Sequence, residues 1–203
     1  MNFLNLLLIM FNGIIFNTGR INKIIKTKNS MTIGVNSNLK LNQKDLGSSI
    51  SCNGVCLTLT KIRNKTLFFY LSSETLIRSN FLNIKKNNII NLEKSVKHGD
   101  LISGHYSFGH IDCCGKIKKI IKSGQTWDVE IVLKKNILKK LAEKGSITIN
   151  GVSLTISKVK IRSIILTIIP HTLKMTNLIY LKKNDLVNIE IDMLSRYISK
   201  YFK

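Results

Sequence analysis

The chain has 203 residues, 44% of them apolar, enough for one large domain or two small ones with a substantial core. Its net charge of +21 invites a nucleic-acid role, but 27 of the 32 cationic residues are scattered Lys and only 5 are Arg, whereas a base-reading surface leans on Arg for bidentate contacts. Four cysteines, as C-x3-C and an adjacent pair, with four His at no paired spacing, exclude a secreted disulfide scaffold and the usual zinc patterns; reduced thiols in a cytoplasmic protein are expected, with no metal.

The chain starts "MNFLNLLLIMF", which is apolar but short. It has no Lys or Arg before the apolar run and no small-residue cleavage site, so it makes a poor secretory signal, and no later run is long enough for a membrane span. Met10 directly precedes "FNGII": either it is the working start, or residues 1–9 are a disordered extension. Residues 53–58, "NGVCLT", then alternate: Val55, Leu57 and Leu59 face one way, Gly54, Cys56 and Thr58 the other. Further strand-like runs are "TLFFYL", "NIINLE", "WDVEIVL", "IILTII" and "LVNIEI". Residues 134–145, "KKNILKKLAEKG", carry Ile137, Leu138 and Leu141 at helical spacing and predict a helix ending at Gly145. In the tail "DMLSRYISKYFK", Leu194, Tyr197, Ile198 and Tyr201 form one stripe, which packs either on the chain's own barrels or on another subunit.

Residues 150–155 read "NGVSLT", a second copy of the hexapeptide. Shifted by 97, residues 49–93 match 146–190 without a gap, with 16 identities in 45 positions. Upstream, "NGIIFNTGRI" (12–21) resembles "FGHIDCCGKI" (108–117). Each half is the size of a small domain, and the simplest architecture is two similar antiparallel β-barrels in tandem. Both copies place a small polar residue (Cys56 or Ser153) and a threonine (Thr58 or Thr155) opposite the core face. Both follow with a Glu-Thr-Leu or His-Thr-Leu turn. Two equivalent small-molecule sites are expected, with the Asn-Gly turns offering backbone groups to a flat heteroaromatic ligand.

The stretches "MFNGII", "SSISCNGVCLTLTK", "SSETL", "SGHYSFGHID", "AEKGSITINGVSLTISKV", "IIPHTLKMTNL" and "VNIEIDMLSRYI", in this order, resemble the riboflavin synthase family, enzymes built from two lumazine-binding repeats. The resemblance implies an all-β fold of two tandem six-stranded Greek-key barrels. They would span 1–104 (1–9 outside the family pattern) and 105–191, followed by a trimerisation helix, 192–203. It implies a transferase that passes a four-carbon unit between two molecules of 6,7-dimethyl-8-ribityllumazine. The products are riboflavin and 5-amino-6-(D-ribitylamino)uracil, and no cofactor takes part. The site would lie between the N-terminal barrel of one subunit and the C-terminal barrel of its neighbour in a homotrimer. Whether the trimer associates with lumazine synthase is left open. A non-catalytic lumazine- or flavin-binding relative is the alternative; the intact "NGVSLT", "PHTL" and "EKG" favour an enzyme.

Carried over position by position, the resemblance makes His110 the candidate base for the acidic C7 methyl of the lumazine. Cys56, Ser49, Ser153 and Thr155 would line the pockets, Lys144 would offset charge on the ring, and Asp192 would be an acid at the start of the last helix. Phe11 would reach the active site. The remaining substrate contacts in the first half would be Gly13, Ile14, Ile15, Leu57, Thr58, Tyr70, Leu71, Ser72, Ser73, Glu74 and Thr75. Those in the second half would be Gly109, Ile111, Leu154, Thr167, Ile168, Ile169, Pro170, His171 and Thr172. Asn12, Ser103 and Phe108 depart from the residues usual in the family.

Overall fold

The computed structural model describes residues 10–201, so the expectation for residues 1–9 lies outside the described residues. Among the described residues, twelve strands close into two barrels. The first contains β1 (Asn17–Lys26), β2 (Ser30–Ser37), β3 (Ser49–Cys52), β4 (Val55–Arg63), β5 (Thr66–Ser72) and β6 (Ile89–Lys94), paired around the ring as β1-β2-β5-β4-β3-β6. The second repeats this order with β7 (Cys113–Ser123), β8 (Thr126–Val132), β9 (Ser146–Ile149), β10 (Val152–Val159), β11 (Ser163–Ile168) and β12 (Leu186–Ile191). Closure leaves no free sheet edge. The register shifts at matching places in both barrels: Ile21/Lys23 and Ile117/Lys119, then Leu59/Lys61 and Ile156/Lys158. Bulges of this kind bend a strand so that a six-stranded sheet can close.

The expected alternation holds. Val55, Leu57 and Leu59 are buried in the first core, and Val152 and Ile156 in the second. Short helices follow the fifth strand of each barrel: α1 (Ser73–Arg78), whose N-terminus is capped by the Ser72 hydroxyl, and, further on, α3 (Pro170–Met175), which starts on a proline suited to the first helical position. Between them, the helix expected over residues 134–145 is only α2, Lys135–Leu138. Ile137 and Leu138, both in this turn, are buried in the core, and Leu141 packs against it partly buried beyond the helix end. Lys135 and Lys139 repel at i,i+4, and Lys144 takes a left-handed φ of 64°. The chain ends in α4 (Met193–Tyr201).

The segments ahead of β1 and β7 cross over. Ile15 is buried in the core of the second barrel, and Ile111 in the core of the first. Each crossing is fixed by a backbone hydrogen bond: Cys56 N–H to the Gly109 carbonyl (3.0 Å) and Ser153 N–H to the Gly13 carbonyl (2.8 Å). Burying an isoleucine contributes about 1.5–3 kcal/mol, so each crossing is a substantial bond between the halves.

The Asn-Gly turns serve this same junction. Gly54 and Gly151 face each other so closely that a Cβ on Gly54 would lie 2.6 Å from the Gly151 nitrogen, and both have positive φ (80° and 79°). Around them, equivalent asparagines from both repeats interlock. Asn91 donates to the Asn150 carbonyl (3.0 Å), Asn188 to the Asn53 carbonyl (2.8 Å), and Asn177 to the Asn53 side-chain oxygen (2.9 Å). The turns expected to offer backbone to a ligand are thus spent joining the barrels, which explains why both copies keep Asn and Gly.

Candidate active site

On the first barrel, β4, α1, the crossing segment and α4 enclose a cavity of about 490 Å³. It is lined by Val55, Cys56, Glu74, Thr75, Arg78, Ser79, Gly109, His110, Ile111, Asp112 and Arg196. The fold therefore brings together Cys56, Glu74, Thr75, Gly109, His110 and Ile111 from three separate stretches of chain. Burial raises the Cys56 pKa; a hydrogen bond from the Ser49 side chain pulls it back, and the Glu190 charge pushes it further up. Cys56 is therefore a thiol at neutral pH, suited to hydrogen bonding rather than to attack as a thiolate. Arg78 pairs with Glu74 one helical turn away. Arg196 of α4 reaches over the site to Asp112 (3.0 Å) and the His110 carbonyl (3.3 Å).

The second barrel repeats the arrangement with different chemistry. Ser153 stands where Cys56 does, with Gly13 crossing beside it and Ile14 in the place of His110. The His105 Nδ1 lies 2.8 Å from the Ser153 Oγ. Burial lowers the His105 pKa, against the pull of Asp192, so its imidazole is neutral at pH 7 and can accept a proton from that hydroxyl. His171 is exposed and Thr172 half-buried at the start of α3.

The other sequence-derived candidates fall in several places. Phe11 is buried at 1% exposure and paired with Ser107. Leu57, Leu71 and Ile168 are core residues, while Thr58 and Thr155 are exposed across from Ser49 and Ser146. Tyr70 is exposed on β5; Ser72 and Ser73 open α1. Leu154 is half-buried, and Thr167 hydrogen-bonds Asp128 (2.7 Å). Ile169 and Pro170 open α3, Lys144 is an exposed turn residue, and Asp192 accepts from the Leu194 N–H (2.8 Å) ahead of α4.

Two carboxylates were not foreseen. Glu93 on β6 accepts the N–H groups of Asn12 (2.8 Å) and Gly13 (3.1 Å), and Glu190 on β12 those of Phe108 (2.9 Å) and Gly109 (3.1 Å). Burial pushes both up to about 7 despite these donors; for Glu190 the nearby Arg196 also pulls down. Around Glu93 the adjoining cavity carries Lys40, Lys94, Lys97 and Asp100. In the unfolded chain both groups titrate near the ordinary Glu value of about 4.3. Folding thus favours the protonated form. Its stabilising contribution is complete below the unfolded value and is lost as pH rises through about 7. The wild type should therefore lose thermal stability relative to an E93Q/E190Q double variant between about pH 5 and 8; parallel curves would contradict this.

Paired barrels that set Cys56 and Ser153 at equivalent positions, each beside a crossing segment, define a tandem lumazine-binding protein, and the lumazine binding domain family matches residues 12–95 and 108–192. Riboflavin synthase of Photobacterium leiognathi is 39% identical over 195 residues, spanning 96% of this chain and 89% of that one. Riboflavin synthase of Buchnera aphidicola subsp. Schizaphis graminum is 35% identical over 191 residues, spanning 93% and 92%. Among solved structures, LumP complexed with riboflavin superposes with a TM-score of 0.80 at 25% identity, over 89% of this chain and 98% of that one. The chain belongs to the riboflavin synthase family, a family of transferases.

Proposed function

We infer that the chain converts two molecules of 6,7-dimethyl-8-ribityllumazine into riboflavin and 5-amino-6-(D-ribitylamino)uracil. The observation that carries this is the pair of equivalent half-sites with unlike chemistry: Cys56 with His110 on one barrel, Ser153 with His105 on the other. Two like half-sites suit two copies of one substrate. Unlike residues let one copy give up its four-carbon unit while the other receives it. The exchange balances without an external oxidant or reductant, because the donor leaves as the diaminopyrimidine and the acceptor gains a ring. What the chain supplies is positioning and proton transfer: a base for the C7 methyl, and donors for the anion that results.

The cavity beside Cys56 is not lined by Ser153 or His105, which supports a productive site formed between subunits. The stripe of α4 supports a homotrimer. Leu194, Tyr197, Ile198 and Tyr201 are exposed at 65%, 57%, 56% and 78%, facing away from the chain's own barrels. Four free cysteines suit a cytoplasmic enzyme, and association with lumazine synthase belongs to the same reading. Incubation with the lumazine should yield flavin absorbance at two substrates per riboflavin, unchanged by EDTA. Tight binding without product would favour the non-catalytic alternative.

A further inference from the structure

We propose that Glu93 and Glu190 are positioning residues wired across the two barrels. Each carboxylate sits on the last strand of one barrel and sets the crossing segment that completes the site on the other.

The geometry is the same twice. Glu190 belongs to the second barrel. It holds two consecutive N–H groups, those of Phe108 and Gly109, with its two oxygens. The carbonyl of that same Gly109 takes the Cys56 N–H of the first barrel, His110 follows directly, and Ile111 then enters the first core. Glu93 belongs to the first barrel and holds Asn12 and Gly13. The Gly13 carbonyl takes the Ser153 N–H of the second barrel, and Ile15 enters the second core. A two-oxygen clamp on adjacent amides fixes both the position and the tilt of the turn, which one hydrogen bond cannot do. Glu190 is 3% exposed in a strand otherwise made of apolar residues and Asn188, so a carboxylate there is costly unless it has a defined task.

The clamp explains a feature that packing alone leaves open. Ile111 and Ile15 anchor the far ends of the crossings, yet His110 and Ile14 lie between anchor and clamp. A chain segment held at both ends presents the residue between them in one orientation. A displacement of about 1 Å at a reacting group costs on the order of a hundredfold in rate, so this restraint bears on turnover as well as on folding.

The inference rests on the proposed function only for its consequence in turnover. It is tested on the full chain with Glu190→Gln and Glu93→Gln, reading amide hydrogen exchange at Cys56 and Ser153 by NMR together with kcat and KM. E190Q should lower protection of the Cys56 amide about tenfold and leave Ser153 unchanged; E93Q should do the reverse, and both should lower kcat about tenfold or more with little change in KM. Glu190→Asp and Glu93→Asp, which keep the carboxyl group but shorten the reach, cover a Gln variant that fails to fold and should show the same crossed pattern. If either substitution affected both amides equally, or neither, the cross-wiring would be wrong. If the wild type made no riboflavin while the crossed exchange pattern held, the functional reading would fail and the clamps would stand.

Discussion

Removal of residues 192–203 is expected to give a folded monomer whose conversion of lumazine falls at least about a hundredfold, because the two half-sites no longer meet and a positioned reaction reverts to a chance encounter. The barrels should survive. Their cores are filled by strand residues, and no α4 side chain is buried in either. What is lost is the exposed stripe of Leu194, Tyr197, Ile198 and Tyr201, which a nine-residue helix cannot leave in water without a partner at no cost. Truncation also removes Arg196 and its contacts to Asp112 and the His110 carbonyl, so it conflates assembly with the local strap over the first site. The paired substitution Leu194→Asp with Ile198→Asp separates the two causes, since it keeps Arg196. Sedimentation should show a monomer for both forms, with turnover lost in both. A trimer that persists after truncation would remove the assembly role from α4. A monomer with full turnover would show that one chain suffices.

The period-two alternation of Val55, Leu57 and Leu59 was enough to find the strand and its buried face, and the 97-residue repeat was enough to make two barrels of the same kind. The same signal could not show that Ile15 and Ile111 exchange cores, because alternation reports a face of a strand and not the barrel to which that face belongs. The repeated asparagines stand out as identities, but Asn-Gly reads locally as a turn, and its use as a junction appears only when Gly54 meets Gly151. The helix expected over 134–145 failed for a different reason. Ile137 and Leu138 are buried by a single turn, Leu141 packs on the core without extending it, and nothing else in that lysine-rich stretch rewards a longer helix. At the site, Cys56, Ser153 and His110 stand out through the repeat and the motifs. His105 escaped because it lies in the linker between repeats, five residues before the more conspicuous His110. Glu93 and Glu190 do leave a trace: each is the one acidic residue in its strand, next to last and at matching positions of the repeat.

Expressed alone, residues 10–104 are expected to fold, to self-associate as a dimer, and to bind riboflavin or the lumazine while turning over below about 1% of the full-chain rate. The six strands and almost the whole first core lie within this fragment, so folding is expected. Besides the junction asparagines of the second repeat, its site lacks Ile111 from the core and the Gly109 carbonyl that satisfies the Cys56 N–H. The fragment carries a substitute for both, because residues 12–15 are the equivalent of 108–111 and have lost their own partner barrel. In a symmetric dimer the 12–15 segment of one copy lies against β4 of the other, Gly13 replacing Gly109 and Ile15 replacing Ile111. This turns the approximate symmetry of the intact chain into a true two-fold, the exchange expected when identical elements swap between copies. Each site of that dimer holds Cys56 but has Ile14 where His110 stands, so binding can persist where proton transfer cannot. A fragment of residues 10–115 supplies its own crossing segment with His110. It should bind riboflavin about tenfold more tightly and dimerise less, since its own segment competes at far higher effective concentration than a second copy. It still lacks Ser153, His105's partner, and should remain nearly inactive. A shorter fragment that sediments as a monomer yet binds as tightly as the longer one would show that the crossing does not build the site, and turnover by the longer fragment near the full-chain rate would show that the second barrel is not required for the transfer.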